Sequence, residues 1–368
     1  MEPATDVFVV GGGPVGLAAA IAIRKKGFGV IVADGMNPPI DKTCGEGLMP
    51  DTIAALRTLG VSVSGADGYA FRGIRFIDGK SNVDASFPGG RGIGVRRTVL
   101  HQKLVERATA CGVSLLWNTP VTGICAEGIA VKGGVVQAKW IIGADGSNSR
   151  VRKWAGLDAH REHKHRFAIR RHYHVKPWTD CVEIYWGPKA QAYVTAVGKE
   201  EVCVVILSHE PRVHLEMATR QFPELASRLD GAEPASADRG AITAMRNLNR
   251  VYRGRVALIG DASGGVDAIT GDGLCLGFHQ AGALAEALQA DDLEAYNTAH
   301  RRLARRPRLT ARLLLLLNGQ PALRRRVLRA LSGEPDVFER LLATHVSETS
   351  PGHMAATWAL LGWRFLAA

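Results

Sequence analysis

A chain of 368 residues with 46% hydrophobic content and a net charge of +11 can bury a substantial core, which excludes a disordered chain or a small disulfide-stapled one. Its six cysteines, at 44, 111, 125, 181, 203 and 275, occur singly without a CxxC pair. That usage points away from zinc or iron–sulfur ligation and towards the reducing cytoplasm; no metal site and no secretory segment ahead of the first strand are expected. No stretch reaches the roughly 20 apolar residues of a spanning helix; the nearest, 355–368, is shorter and interrupted by Arg364.

In chain order, residues 6–10 form an apolar, β-branched run that ends in Gly11-Gly12-Gly13-Pro14-Val15-Gly16, as a buried strand enters a tight turn. Residues 17–26 supply helix formers, basic residues in the last turn and Gly27 as a stop, so a helix is predicted there. A second strand over 29–33 runs into Asp34. In this order Gly11 permits the turn, Gly13 lets backbone approach a pyrophosphate, and Gly16 lets helix pack on strand. The helix N-terminus offers unpaired N–H groups to the anion. Asp34, 18 residues past Gly16, stands where a carboxylate accepts from ribose hydroxyls.

Lys42-Thr43-Cys44-Gly45-Glu46-Gly47-Leu48-Met49-Pro50 follows; Gly45 and Gly47 indicate close backbone approach to a ligand. Residues 71–87 predict a hairpin around Asp78-Gly79-Lys80-Ser81, and residues 97–104 a helix. A strand at 140–142 runs into Gly143-Ala144-Asp145-Gly146, with a basic helix from about Ser149. β-rich runs at 168–175, 182–186, 192–197 and 202–207 predict an antiparallel sheet. Within it His172 and His174 share one face, Arg171 and Tyr173 the other. His172 is the candidate catalytic base, because an imidazole beside a phenol can take its proton near neutral pH. Tyr193 and Thr195, on alternate positions, are candidates for binding substrate. Residues 256–259 lead as a strand into Gly260-Asp261-Ala262-Ser263, and Gly271 and Gly273 precede an Ala- and Leu-rich helix to about Leu288.

The remainder reads as helical. Ten arginines and no acid lie between Tyr296 and Leu331, accounting for +10 of the +11. With Leu313-Leu314-Leu315-Leu316-Leu317, this segment is either a solvated face beside a core-facing leucine run or a membrane-surface element. No nucleic-acid-binding module accompanies the basic clusters, so nucleic acid is not an expected partner.

Gly143-Ala144-Asp145-Gly146-Ser147-Asn148-Ser149-Arg150-Val151-Arg152 resembles the GADGxxSxVR stretch of the flavoprotein hydroxylases, the group A monooxygenases. The resemblance implies an α/β, Rossmann-like FAD-binding fold with an inserted antiparallel substrate sheet and a helical C-terminal region. The cofactor pieces fall at 1–68, 94–157 and 250–293, the β-rich substrate pieces at 69–93 and 158–249, and the helical region at 294–368. It places Asp145 beside the FAD pyrophosphate, Gly260 and Asp261 at a ribityl hydroxyl, and Arg97, heading an RxxLxxxL-like helix, near the cofactor. Val121 and Leu274 join the cofactor's surroundings. The helix end at Gly271 and Gly273 faces the flavin's N1–C2 edge, where its partial positive charge stabilises the reduced ring. Ala268 departs from the family pattern by replacing the usual proline.

The loop from Lys42 to Pro50 is similar to the cysteine-glycine loop of the geranylgeranyl reductase branch, where FAD hydride saturates prenyl double bonds; there Cys44 would tune or shield the flavin. Trp186-Gly187-Pro188 is not the WxWxIP signature of flavin halogenases. The resemblance to the hydroxylases implies NAD(P)H as a transient reductant, and this chain, like family members of that type, has no second strand–GxGxxG–helix unit. The leading expectation is a cytoplasmic FAD-dependent monooxygenase that uses NAD(P)H and O2 to hydroxylate an aromatic secondary metabolite, phenolic or polyketide-derived. The alternative is a prenyl double-bond reductase. Peripheral membrane association through the arginine-rich tail stays open, as does the oligomeric state.

Overall fold

Val7 and Val9 point to one side of the first strand and Phe8 and Val10 to the other, and all four are buried. A strand apolar on both faces belongs inside a covered parallel sheet. The computed structural model, which describes residues 4–158, 160–162, 165–243, 245–333 and 335–346, has this arrangement. Ala4–Val10 lies between Gly134–Gly143 and Val30–Ala33, and Val256–Leu258 and Ser114–Leu116 extend the sheet, all five strands parallel. Val7 and Val9 pack on helices Pro14–Arg24, Arg97–Ala110 and Gly273–Gln289. Phe8 and Val10 pack on the hairpin of Val121–Ile124 and Gly128–Val131. The predicted strand–helix–strand unit is thus present, and the fold is α/β.

A second sheet runs Glu233–Pro234, Arg166–His174, Glu201–Ser208, Ala190–Gly198, Cys181–Trp186, Gly73–Asp78, Ser81–Ser86, with Arg239–Thr243 also paired to Arg166–His174. All its pairs are antiparallel except that of Gly73–Asp78 with Cys181–Trp186. The predicted hairpin and all four predicted β-rich runs are in it. A small sheet of Gly47–Leu48, Gly92–Gly94 and Tyr69–Phe71 joins the two layers. Gly94 is obligatory at this joint, because a Cβ there would stand 1.8 Å from the Ala196 carbonyl oxygen.

The tail forms helices Leu293–Gly319, Pro321–Ser332 and Pro335–Val346; the rest of the predicted helical region, 347–368, lies outside the described residues. The first of these helices is capped by Asp292, whose carboxylate accepts from the amides of Glu294 and Ala295 at 2.9 and 3.0 Å, a standard N-cap. Leu314, Leu315 and Leu317 pack beside Ile184, Trp186 and Leu207 of the second sheet, so these leucines face inward. Arg324 is buried too, with Nε and Nη2 on the Asp78 carboxylate at 2.8 and 3.2 Å. Among the described residues no helix is long and apolar enough to cross a membrane.

Candidate active site

The first glycine turn is built by steric exclusion. Gly11 has φ +110°, and a Cβ on it would meet the Ala144 carbonyl oxygen at 2.5 Å; one on Gly16 would lie 1.9 Å from the Gly11 oxygen. Gly13 differs: nothing lies within 4 Å of its Cβ position, and it begins the helix Pro14–Arg24 without a side-chain cap. The helix therefore presents unpaired amides to open space. Asp34 accepts from the Gly12 amide at 2.8 Å and the Met36 amide at 2.9 Å, so it braces the turn and is half-exposed beside it.

His101, buried in the helix Arg97–Ala110, holds the same turn from behind. Its Nε2–H donates to the Gly12 carbonyl at 2.8 Å while Nδ1 faces the Ile40 amide at 3.4 Å. One partner only accepts and the other only donates, so the ring is neutral with the proton on Nε2. Burial holds its pKa below the usual histidine range.

The second and third stretches are tied together by Arg152. Its buried guanidinium donates to the Ser147 and Ala262 carbonyls at 3.0 and 3.1 Å and to Asp158 at 2.7 Å. Asp145 is directed at its own chain: it accepts from Ser149 Oγ at 2.5 Å and from the Arg150 and Val151 amides at 2.7 and 3.2 Å. Gly260, at φ +60°, donates to Gln280 Oε1 at 2.9 Å. Ser263 Oγ donates to the Gly260 carbonyl at 2.7 Å and meets buried His300 Nε2 at 2.8 Å. Both Gly260 and Gly277 close on Val15 of the first stretch: Cβ atoms there would come 3.0 and 2.4 Å from its methyl groups.

Asp261 is the exception in this network, since its carboxylate makes no hydrogen bond among the described residues. It opens to solvent on one side and is ringed by protein elsewhere. That loss of water pushes its pKa up, opposed by the charges of Arg97, Lys42 and Arg246. Arg97 is itself incomplete, with a buried Nε that has no hydrogen-bond partner among the described residues.

The loop around Ala268 has no proline and is held from outside instead. Arg166, fully buried, donates to Asp267 Oδ1 at 2.9 Å and to Gln191 Oε1 at 2.8 Å. Asp267 also accepts from the Ile269 amide at 3.0 Å, and Tyr193 Oη donates to the Ile269 carbonyl at 3.0 Å. Tyr193 is therefore a tether between the second sheet and this loop, and burial raises its pKa. Gly271, at φ +72°, and Gly273 follow, with nothing within 4 Å of either Cβ position.

Glu46 is the centre of the other wall, and the sequence did not single it out. It is buried although it sits at φ +59° between two glycines, a left-handed conformation that costs a non-glycine residue about 1 kcal/mol or more. Its Oε1 accepts from the Arg97 amide at 2.9 Å and from Arg170 Nη1 at 3.2 Å; its Oε2 meets His172 Nε2 at 2.6 Å. Arg170 also makes a bidentate pair with Asp41 at 2.8 and 2.9 Å. Burial raises the Asp41 pKa, but the bonds from Arg170 outweigh it and hold the carboxyl below its usual range. Glu46 thus joins the cysteine-glycine loop, the helix Arg97–Ala110 and the strand Arg166–His174.

His172 is fully buried, with Nδ1 2.8 Å from Ser236 Oγ and Nε2 on Glu46, whereas His174 on the same face is exposed at the strand's end. Cys44 is half-buried; its Sγ accepts from the Glu46 amide at 3.4 Å, and its carbonyl faces Cys203 Sγ at 3.7 Å. Gly45 borders open space. Thr195 is buried against the joint, its methyl 2.8 Å from a Cβ position on Gly94. The Val121 side chain lies in the core beneath the first sheet, and half-buried Leu274 packs on the main core.

Open space at Gly13, Gly45, Gly271 and Gly273, the unbonded carboxylate of Asp261 and the orphaned Nε of Arg97 together call for a ligand with both anionic and hydroxyl groups. A dinucleotide has both. A family model described as "FAD binding domain" matches residues 4–305. The chain is 27% identical over 321 residues to a menaquinone reductase of Mycobacterium tuberculosis, covering 80% of this chain and 78% of that protein. It is 28% identical over 321 residues to digeranylgeranylglycerophospholipid reductase 1 of Methanopyrus kandleri, covering 79% and 83%. In fold it is similar to a flavoprotein/dehydrogenase of Cytophaga hutchinsonii, with a TM-score of 0.81 at 20% identity over 93% of this chain and 92% of that one.

Proposed function

The chain belongs to the FAD-binding-domain family, its cofactor is FAD, and from that premise we propose that this oxidoreductase saturates double bonds of an isoprenoid chain with NAD(P)H as reductant. The observation that carries this reading is the engagement of His172. As the base of a phenol hydroxylase this imidazole would have to meet the phenol, and it is fully buried with Nδ1 on Ser236 and Nε2 on Glu46, so neither nitrogen is presented to a substrate. The hydroxyl of Tyr193 is committed to Ile269. Beside Tyr193, Ala168, Val197, Cys203 and Val205 form an apolar cluster, a neighbourhood that suits a hydrocarbon chain better than a phenolate. The digeranylgeranylglycerophospholipid reductase to which the chain is similar supports the same choice.

FAD, when bound, would pass hydride from the nicotinamide to one carbon of the double bond, and a proton drawn from water would complete the other carbon. In this reading Gly11, Gly13 and Gly16 with the uncapped helix N-terminus hold the pyrophosphate, and Asp34 the ribose. Gly260 and Asp261 hold the ribityl chain with Arg97 beside it, Asp145 shapes the turn beside the pyrophosphate through its bonds to Ser149, Arg150 and Val151, and Val121 contributes backbone alone. Gly271, Gly273 and Leu274 offer a helix end to the reduced ring, and Cys44 and Gly45 border its reacting face. Tyr193 and Thr195 act as supports of the substrate wall.

Hydroxylation of an aromatic ring is the second reading, favoured by the likeness of residues 143–152 to the hydroxylase stretch. The test incubates the FAD-loaded enzyme with NAD(P)H and either a geranylgeranyl lipid or simple phenols, without and with oxygen, and weighs the products. Oxygen-independent gain of two hydrogens per double bond is expected. Gain of one oxygen on a phenol, with the prenyl chain unchanged, would overturn the proposal.

A further inference from the structure

The helix Leu293–Gly319 has two different faces. Tyr296, His300, Ala304 and Ala311 are buried along one. Along the opposite side run Arg302, Arg305, Leu309, Arg312 and Leu316, all exposed and spaced three or four residues apart, so they form one stripe, about 20 Å long at the helical rise. Leu309 is 53% and Leu316 46% exposed, two of the few large apolar side chains left in water among the described residues. Arg302, Arg305 and Arg312 make no hydrogen bond or ion pair among the described residues. No acid occurs between residues 296 and 331 to neutralise them. The crowding is felt inside the helix, where burial and then the like charge of Arg312 hold Arg308 below the usual guanidinium range.

We propose that this stripe is a docking surface for an anionic lipid bilayer, which the helix meets lying in the plane of the headgroups. Guanidiniums alone would serve any polyanion. Leucines interleaved with them on the same face serve a partner that is anionic at its surface and apolar just beneath it. This surface stands independently of which double bond or ring the enzyme acts on.

The test is sedimentation of the FAD-loaded full chain with phosphatidylcholine vesicles and with vesicles containing phosphatidylglycerol, at low and high salt, and without vesicles. Binding is expected to the anionic vesicles only and to weaken with salt. The triple variant R302Q/R305Q/R312Q should bind on the order of 100-fold more weakly, at about fivefold per arginine. Leu309→Asn with Leu316→Asn should remove most of the binding that survives high salt. Both variants should keep wild-type melting temperature and flavin content, because the residues are exposed. No binding to anionic vesicles would overturn the proposal. So would variants that bind like wild type, or variants whose only defect is in self-association without vesicles.

Discussion

His172 Nε2 lies 2.6 Å from Glu46 Oε2, a buried contact that closes a loop of 126 residues. It fastens the second sheet to the cysteine-glycine loop, and the Glu46 carboxylate has Arg170 and the Arg97 amide on its other oxygen. Glu46→Gln should therefore destabilise the protein by about 2–3 kcal/mol, the range for breaking a buried charged hydrogen-bond set. Glu46→Gly regains only the left-handed backbone cost of about 1 kcal/mol. Urea unfolding should place both below wild type. A Glu46→Gly variant as stable as wild type would show that the loop's shape matters and its carboxylate does not.

Gly16 and Gly13 separate folding from cofactor binding. Gly16→Ala puts a methyl 1.9 Å from the Gly11 oxygen and should yield little folded protein. Gly13→Ala meets no protein atom, so the apoprotein should melt within about 0.5 kcal/mol of wild type while FAD affinity falls at least tenfold. Circular dichroism with flavin titration reads both. Full flavin affinity in Gly13→Ala would remove the pyrophosphate from that position.

Asp261 should trade stability for binding. Its folded pKa is raised, so the folded apoprotein holds more protons than the unfolded chain between the ordinary and the raised value. Stability is then lost as pH rises through that window. Asp261→Asn removes this charge, and the variant apoprotein should melt higher than wild type at neutral pH. Its FAD affinity should fall about 10- to 100-fold, the worth of a charge-assisted hydrogen bond. Unchanged flavin affinity would refute the ribityl assignment.

His300, buried and held by Ser263, has its pKa pushed down to about 4 by burial, with a smaller effect of Arg308 and Arg301. Above pH 6.5 neither state takes the proton. As pH falls from 6.5 to about 4 the unfolded chain takes it and the folded one does not, so roughly 3 kcal/mol of stability is lost. His101, also depressed by burial, adds to the same acid-side loss. Unfolding of His300→Gln between pH 7 and pH 4 should show a shallower decline than wild type; parallel curves would exclude His300 as the source.

The cofactor layer was readable because its signals are local. Strands buried on both faces, glycines followed by helix formers and Asp34 at the end of the second strand all lie within some 30 residues, and the structure places them together. Glu46 carries no such signal: its partners Arg170 and His172 come from 124 and 126 residues away, and a glutamate between two glycines reads as a solvated loop. The same distance hid the anchoring of the Ala268 loop, which depends on Arg166, Gln191 and Tyr193 in another sheet. Alternation did put Arg171 and Tyr173 opposite His172, but it could not show that His172 was already partnered. The leucine run was legible as apolar, and only packing showed which leucines face inward and which do not.

Val15 sits between Gly260 and Gly277, with no room for a Cβ at Gly277 and little at Gly260. Three segments from opposite ends of the chain thus share one side chain's volume. A larger residue at 15 cannot be accommodated by either glycine, and a smaller one opens a void that both segments line. Positions 15, 260 and 277 should therefore change together or not at all across descendants of this chain, and a library that randomises them singly should recover almost nothing but the starting residues.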